Sequence, residues 1–254
     1  MAETGIEIAA AGKSTRLREH ITELGYPNGY PKLLLPTGRS DGETLLGRVT
    51  RQALEAPVPG FVTIHTSEEN ERYLRQNPDI SPLIDGAEVR LARVEYGNSF
   101  RPFLPKLVKE GVRVLGSSGD FYAEFSWADV LDTHESNNYP VTFVVGQTVA
   151  VDNGAVFDVS DNGLITDFAR VDRTKQSDLV NVGIYVFDPT DTVLSTLSGI
   201  VSSRYLASEE DIVTTLIAKG LMGAHVLERT PYNVNSAETY QALLAHAQTE
   251  QVVA

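Results

Sequence analysis

The residues best suited to chemistry begin in a short loop after the first predicted strand. Residues 5–11 form an apolar run that ends at Gly12, as a buried strand would. Lys13 and Arg16 follow and bring two positive charges to this loop. Open α/β sheets bind ligands at the carboxyl ends of strands, where small residues let backbone N–H groups approach a phosphate. We therefore predict a phosphate-binding loop, and an ordinary turn with solvated basic side chains explains the pattern equally well.

The loop differs from two well-known phosphate-binding sequences. A P-loop needs a glycine five residues before Gly12, and Glu7 occupies that position. A dinucleotide-binding fingerprint needs a second glycine where this chain has Ser14. Both sequences are therefore excluded.

Four later segments contain polar residues that could bind a phosphate or a metal ion. In chain order, they are Y-P-K-L-L-L-P at 30–36, V-L-G-S-S-G-D at 114–120, N-V-G-I-Y-V-F at 181–187 and Y-N-V-N-S-A-E-T-Y at 232–240. Lysine can bind phosphate, and carboxylate or amide oxygens are ligands that Mg²⁺ accepts together with waters. Each segment also has a purely structural explanation, as a solvated loop lysine, a Gly-Asp turn, a core strand and a helix cap.

The order and spacing of these segments resemble the nucleotidyltransferase family. The similarity includes A-A-G-x-[GS]-T-R-L, P-K-L-L-x-P, G-E-T-L-L, a strand that ends in Gly-Asp, N-x-G-I-Y-V-F and a closing segment with Asn before Ser, and it runs through about residues 6–247. Members of this family join a nucleoside triphosphate to a sugar 1-phosphate, or to a similar phosphate monoester, and release pyrophosphate. No single segment is decisive, so the resemblance depends on all of them together.

The resemblance implies a role for each matching residue. Three residues are expected to take part in catalysis, namely Arg16, Lys32 and Asp120. The nucleotide is expected to bind to Ala10, Ala11, Gly12, Lys13, Ser14, Thr15, Arg16 and Gly97. The acceptor is expected to bind to Arg170, Asn181 and Gly183. Mg²⁺, the implied cofactor, is expected on Asp120 and Asn235.

The implied reaction is an in-line attack of the acceptor phosphate on the α-phosphorus of the triphosphate. Such a reaction needs positioning and charge neutralisation more than covalent chemistry from the protein. Lys32 would contact the α-phosphate, and Arg170 would bind the acceptor phosphate. Packing alone does not explain Asn181 or Gly183. In contrast, S-E-E-D at 208–211 resembles a family segment, but we interpret it as a helix capping box rather than as catalytic.

The chain departs from the family pattern at positions that read the substrates. Ser14 replaces a glycine of the phosphate-binding loop. Ala92 replaces the glutamine that binds the nucleobase in the family, and Ala169-Arg170 replaces a Glu-Lys pair that binds the sugar and its phosphate. The resemblance implies a sugar 1-phosphate of the hexose or heptose class as acceptor. A non-sugar phosphate monoester and a weakly active, nucleotide-binding regulatory homologue remain as alternatives. A glycosyltransferase is disfavoured, because the chain has no Asp-x-Asp sequence.

The composition narrows the classes of partner. The chain has 254 residues, with 21 Lys and Arg against 34 Asp and Glu, a net charge of −13 and no cysteine. This acidity argues against a general nucleic-acid or membrane-surface binder, and the lack of cysteine excludes disulfides and thiolate chemistry. No apolar run approaches the roughly 20 residues of a membrane helix, and the amino terminus does not resemble a signal peptide. We expect a cytoplasmic protein, with a homo-oligomer as one possibility.

Strands and helices alternate through the first half of the chain, which predicts an α/β fold. We expect a Rossmann-like, mostly parallel central sheet flanked by helices, with a small antiparallel extension, and the resemblance implies the GT-A-like fold of nucleotide-diphospho-sugar transferases. Strands are predicted at 5–11, 61–66, 88–94, 112–116, 141–151, 155–159, 181–187, 225–227 and 232–235. Helices are predicted at 43–56, 67–76, 103–110, 128–135, 208–219 and 236–247. We expect one domain over 1–254, with a nucleotide-binding part at about 1–135 and an acceptor-binding part at about 136–254.

Overall fold

A computed structural model of the protein describes most of the chain. The described residues are 4–39, 42–58, 60–86, 88–94, 103–148, 152–173, 178–202 and 208–253. Their strands are β1 Gly5–Ala10, β2 Val62–Thr66, β3 Val89–Arg93, β4 Val114–Ser118, β5 Phe121–Tyr122, β6 Val141–Gln147, β7 Asp152–Val159, β8 Ile165–Arg173, β9 Leu179–Phe187, β10 Met222–Val226 and β11 Tyr232–Asn233. Their helices are α1 Arg18–Glu23, α2 Leu45–Leu54, α3 Glu68–Gln76, α4 Ser81–Ile84, α5 Leu104–Glu110, α6 Trp127–Asn137, α7 Asp191–Ser202, α8 Glu209–Ala218 and α9 Ala237–Val253.

Among the described residues, the central sheet has nine strands, and its main path follows the order β10-β6-β9-β4-β1-β2-β3. Strands β4, β1, β2 and β3 run parallel to one another, whereas β9 runs antiparallel to both β4 and β6. The β7–β8 hairpin joins β9 at one side and forms the antiparallel extension. The predicted α/β fold, with its mostly parallel sheet and small antiparallel part, is therefore confirmed.

The sheet is buried on both faces, as a sheet with parallel strands must be. On one face, β1 residues such as Ile8 pack with α2, α3 and α6. On the other face, β6 and β9 residues such as Phe143 and Tyr185 pack with α5, α7 and α8. Strand β1 lies between β4 and β2, so its carboxyl end opens at the middle of the sheet edge.

Serine side chains cap the first turns of two predicted helices. The hydroxyl of Ser67 accepts a hydrogen bond from the Asn70 N–H at 3.1 Å and begins α3. Ser208 begins α8 through the predicted capping box, and Gly220 follows that helix with a φ of +64°. In the described part of the chain, no helix combines the length and apolarity needed to cross a membrane.

Some elements differ from their predicted bounds. Strand β4 lies two residues later than predicted, at Val114–Ser118, because the apolar run 112–116 includes the lead-in from α5. Strand β10 begins earlier than predicted, at Met222. Helix α9 continues to Val253, beyond the predicted end at 247. Helix α7 was not predicted, because serine and threonine dilute the apolar pattern that Val193 and Leu197 give it.

Candidate active site

The loop after β1 is exposed at Gly12 and Lys13, and helix α3 anchors its main chain. The amide of Asn70, a buried residue of α3, donates to the carbonyl oxygens of Ala10 at 3.0 Å and Gly12 at 3.4 Å. Leu17 closes the loop by packing into a core cluster, where it is 1% exposed. A cavity of about 230 Å³ opens beside the loop and is lined by Gly12, Lys13, Ser14, Arg18, Gly29, Glu69 and Asn70. This arrangement suits a polyanion bound by backbone N–H groups and nearby cations.

Lys32 reaches the same edge of the sheet from a 3₁₀ turn formed by Lys32–Leu34. Leu33 and Leu34 are buried and anchor this turn in the core. The Lys32 ammonium lies 2.7 Å from a carboxylate oxygen of Asp120 and also donates to the side-chain oxygen of Asn235. The Lys32 N–H donates to the Ser14 hydroxyl at 2.9 Å, which joins this turn to the loop after β1.

Asp120 and Asn235 are brought together by the short ribbon of β5 and β11. Tyr122 pairs with Tyr232 in this antiparallel ribbon. The Val234 N–H also donates to the Asp120 carbonyl at 3.3 Å, just beyond the paired residues. The Asp120 and Asn235 side chains therefore meet although most of the acceptor half separates them in sequence.

The charge of Asp120 is stabilised in the folded protein. Burial opposes ionisation of the Asp120 carboxyl, but the neighbouring Lys32 ammonium and a hydrogen bond from Ser118 outweigh this effect and hold the pKa of Asp120 below its usual value. The Asp120 side chain is 27% exposed, whereas the Lys32 side chain is 12% exposed. The carboxylate is therefore ionised near neutral pH and accessible to a ligand.

The donor set of Asp120 and Asn235 fits Mg²⁺. One carboxylate oxygen and one amide oxygen are hard ligands, and Mg²⁺ usually binds through one or two such protein groups while it keeps several waters. The Lys32 ammonium between the two oxygens shows that they accommodate a cation. A separate cluster of Glu124, His246 and Glu250 is a poorer candidate, because the Arg229 guanidinium contacts both of its carboxylates.

Two of the three predicted acceptor residues, Arg170 and Asn181, contact one unpredicted side chain, Glu209. Arg170 donates to one Glu209 carboxylate oxygen at 3.2 Å, and the Asn181 amide donates to the other at 3.0 Å. The Asn181 amide also donates to the Tyr185 hydroxyl at 3.1 Å. The result is a polar wall made by β8, β9 and the first turn of α8.

Glu209 is electrostatically linked to the nucleotide half of the site. Burial raises the pKa of Glu209 above its usual value; Arg170 and Asn181 partly offset this effect, and the negative charge of Asp120 adds to it. Glu209 was not predicted from the sequence, because Ser208 and Asp211 explain the segment as a capping box, and both reciprocal bonds of that box are present. The available signal was a second acidic residue that the cap does not use.

Packing requires a glycine at position 183, which was not predicted from the sequence. Its φ is +77°, and a Cβ at this position would lie 2.7 Å from the Ser118 Cβ and 3.2 Å from the Phe121 ring. A side chain here would therefore force β9 away from β4 and the β5 ribbon. The statement that packing does not explain Gly183 was wrong, although its N–H also donates to the Asn181 side-chain oxygen at 2.9 Å.

Arg16 and Gly97 are two further predicted site residues, and the described contacts of Lys32 do not include Arg16. Arg16 lies in the 3₁₀ turn Thr15–Leu17, and its side chain is exposed. Among the residues that the structure describes, no carboxylate lies within ion-pair distance of the Arg16 guanidinium. Gly97 lies outside the described residues. Lys32, Asp120 and Asn235 are therefore in direct contact, and Arg16 shares their edge of the sheet through the loop that contains Ser14.

Comparison with known proteins gives a clear answer on the fold. No protein-family model and no curated protein sequence matches the chain. Among solved structures, the chain is similar to a protein described as a glucose-1-phosphate thymidylyltransferase from Bacillus anthracis, with a TM-score of 0.74, 16% identity and coverage of 96% of this chain and 95% of that one.

Two further structures cover 96% of this chain and 99% of their own, each with a TM-score of 0.66. One is the CTP:phosphocholine cytidylyltransferase from Streptococcus pneumoniae, at 18% identity, and the other is HddC from Yersinia pseudotuberculosis, at 13% identity. The chain therefore has a fold that is found in nucleotidyltransferases, as the sequence resemblance implied.

Proposed function

We propose that the protein is a Mg²⁺-dependent nucleotidyltransferase that joins a nucleoside triphosphate to a sugar 1-phosphate of the hexose or heptose class and releases pyrophosphate. The observation that carries this proposal is the contact of Lys32 with both Asp120 and Asn235, beside the loop after β1. An oxygen pair suited to a cation, a half-buried lysine and a loop of small residues at one sheet edge are parts that phosphoryl transfer uses. The shared fold with nucleotidyltransferases supports the same conclusion.

The proposed reaction is a direct transfer that forms no covalent intermediate with the enzyme. A phosphate oxygen of the acceptor forms a bond to the α-phosphorus, the bond from that phosphorus to the bridging oxygen breaks, and pyrophosphate leaves with the electron pair. A phosphate monoester is largely ionised near pH 7, so no general base is required. The protein supplies orientation and positive charge.

The nucleotide half of the site supplies that charge at defined positions. The backbone N–H groups of residues 10–15, together with Lys13 and Arg16, bind the triphosphate and stabilise the departing pyrophosphate. Lys32 binds the α-phosphate oxygens. Asp120 and Asn235 would hold Mg²⁺, which would supply neutralisation of the charge on the reacting phosphates.

The acceptor half favours a phosphate monoester whose organic part is neutral and bears hydroxyl groups. Glu209 accepts hydrogen bonds, Asn181 donates them, and Arg170 balances the Glu209 charge at 3.2 Å. Sugar hydroxyls both donate and accept hydrogen bonds, so they complement this wall. A quaternary ammonium would be attracted to a lone carboxylate, and the Arg170 guanidinium weakens that attraction. A sugar 1-phosphate is therefore preferred over a phosphorylated amino alcohol.

Pyrophosphate release tests the proposal directly. The protein would be incubated with Mg²⁺, each of the common nucleoside triphosphates and a panel of hexose 1-phosphates, heptose 1-phosphates and phosphocholine. We expect release with at least one sugar 1-phosphate and little with phosphocholine. Release with phosphocholine alone would assign the non-sugar acceptor. Thermal stabilisation by a triphosphate without turnover would identify a nucleotide-binding regulatory protein instead.

A further inference from the structure

We propose that Ser14 is a positioning residue for Lys32, and that its hydroxyl performs this role from a strained backbone conformation. The proposal rests on the proposed function, in which Lys32 contacts the nucleotide. It assigns to Ser14 a task different from phosphate binding by its backbone. The experiment below separates the two ideas.

The backbone of Ser14 is in the left-handed region, with φ of 55° and ψ of 25°. In the described part of the chain, Asn138 is the other non-glycine residue with positive φ, and it follows α6, where an asparagine often adopts this conformation. Serine has no such preference, and glycine would adopt the same φ without a steric cost. Strain of this kind persists at functional sites when a specific contact requires it.

The contact that Ser14 makes is a hydrogen bond to the main chain of Lys32. Lys32 is the first residue of its 3₁₀ turn, where an N–H group has no partner within the turn. Pro31, which precedes the turn, makes no side-chain capping bond. The Ser14 hydroxyl accepts from the Lys32 N–H at 2.9 Å and so caps this turn from a distant segment.

Lys32 is therefore fixed at both ends. Ser14 holds its main chain, and Asp120 and Asn235 hold its ammonium. When the ammonium turns to a phosphate, the bond to Ser14 can persist, because it involves only the backbone of Lys32. The strained serine thus keeps a constant spacing between the triphosphate loop and the lysine that acts on the α-phosphate.

Two substitutions separate the tether from the strain. Both Ser14→Gly and Ser14→Ala remove the acceptor oxygen, and only Ser14→Gly relieves the backbone. We expect both variants to lower kcat about tenfold, while KM for either substrate changes less than about twofold. Ser14→Gly should have the higher Tm of the two, by about 2–4 °C. Asn138→Gly is the matched control at the opposite sheet edge, and it should keep the wild-type kcat.

Amide hydrogen exchange supplies a readout that does not depend on activity. The Lys32 amide should exchange at least about tenfold faster in both Ser14 variants. The Gly119 amide, which donates to the Ala9 carbonyl at 3.0 Å, should be unchanged. If the wild type releases no pyrophosphate, the proposed function fails and the exchange data alone decide the tether. Wild-type kcat in Ser14→Gly, or unchanged exchange at Lys32, would overturn the proposal.

Discussion

The ammonium of Lys32 lies 2.7 Å from the carboxylate of Asp120. Lys32 belongs to a 3₁₀ turn, whereas Asp120 lies between β4 and β5. Asn235 gives the Lys32 ammonium a second contact from a segment near the end of the chain. Because the same two oxygens suit Mg²⁺, the lysine and the proposed metal would compete for them. This competition would make the Mg²⁺ requirement depend on Lys32, which can be measured.

Replacing Lys32 should therefore change two quantities in opposite senses. Lys32→Ala removes a charge contact to the α-phosphate, and we expect kcat to fall by a factor of about 10²–10³. It also frees the two oxygens, so the Mg²⁺ concentration at half saturation should fall. Pyrophosphate release at varied Mg²⁺ measures both effects. Lys109→Ala, at an exposed position of α5, is the control, and near-wild-type kcat in Lys32→Ala would contradict the assignment.

Changing the predicted metal ligands should shift the Mg²⁺ requirement. Asp120→Asn removes the only negative charge of the donor pair, so half saturation should need at least about tenfold more Mg²⁺ and kcat should drop sharply. Asn235→Asp adds a charge and should lower the requirement. The exposed Asp132→Asn should change neither quantity. Identical Mg²⁺ titrations for Asp120→Asn and the wild type would place the metal elsewhere.

Arg16 is the predicted catalytic residue for which the structure gives the fewest contacts. Its exposed guanidinium is available to a triphosphate, and we expect Arg16→Ala to reduce kcat by a factor of about 10²–10³ through loss of charge stabilisation on pyrophosphate. Arg72→Ala, at an exposed position of α3, controls for net charge. If Arg16→Ala releases pyrophosphate at the wild-type rate, Arg16 has no part in the reaction.

Glu209 should control acceptor binding and weaken the fold. Glu209→Gln removes a charged hydrogen-bond acceptor, so KM for the acceptor should rise about tenfold while KM for the nucleotide stays constant. The neighbouring Glu210→Gln, at an exposed position, is the matched control. Equal acceptor KM values for the two variants would remove Glu209 from the pocket.

The raised pKa of Glu209 predicts the pH dependence of that stability effect. Because burial raises its folded pKa, the folded protein retains the proton more strongly than the unfolded chain. Its favourable contribution is therefore complete below the usual glutamate pKa and is lost as the pH rises through the folded value. Glu209→Gln should raise Tm at pH 7 and leave it nearly unchanged at pH 4. Thermal unfolding at the two pH values measures this difference.

The sequence predicted the fold because strands and helices alternate along its first half. Parallel strands open at a common edge of the sheet, so polar segments that follow such strands were expected at that edge. Lys32 and Asn235 were predicted as site residues only because the order of the motifs resembles that of a known family. Their mutual contact depends on the β5–β11 ribbon, whose two-residue strands are too short to show a pattern.

Other features could not be predicted, because local explanations were sufficient. Glu209 lies in the first turn of α8, where an acidic residue is favourable for the helix dipole alone. Its contacts with Arg170 and Asn181 are set by packing of α8 against β8 and β9. The strain at Ser14 and the positive φ of Gly183 are backbone properties that no residue pattern specifies.

Because of the β5–β11 ribbon, the proposed site needs a longer stretch of the chain than the large sheet does. A chain that stopped after Val226 would still contain every strand of the large sheet. It would have lost Asn235 and also Asn233, which pairs with Phe121, the residue that follows Asp120. Such a truncated molecule would keep the strands of the large sheet and lack one oxygen of the donor pair, so the presence of the sheet would be a poor measure of activity in any shortened version of this protein.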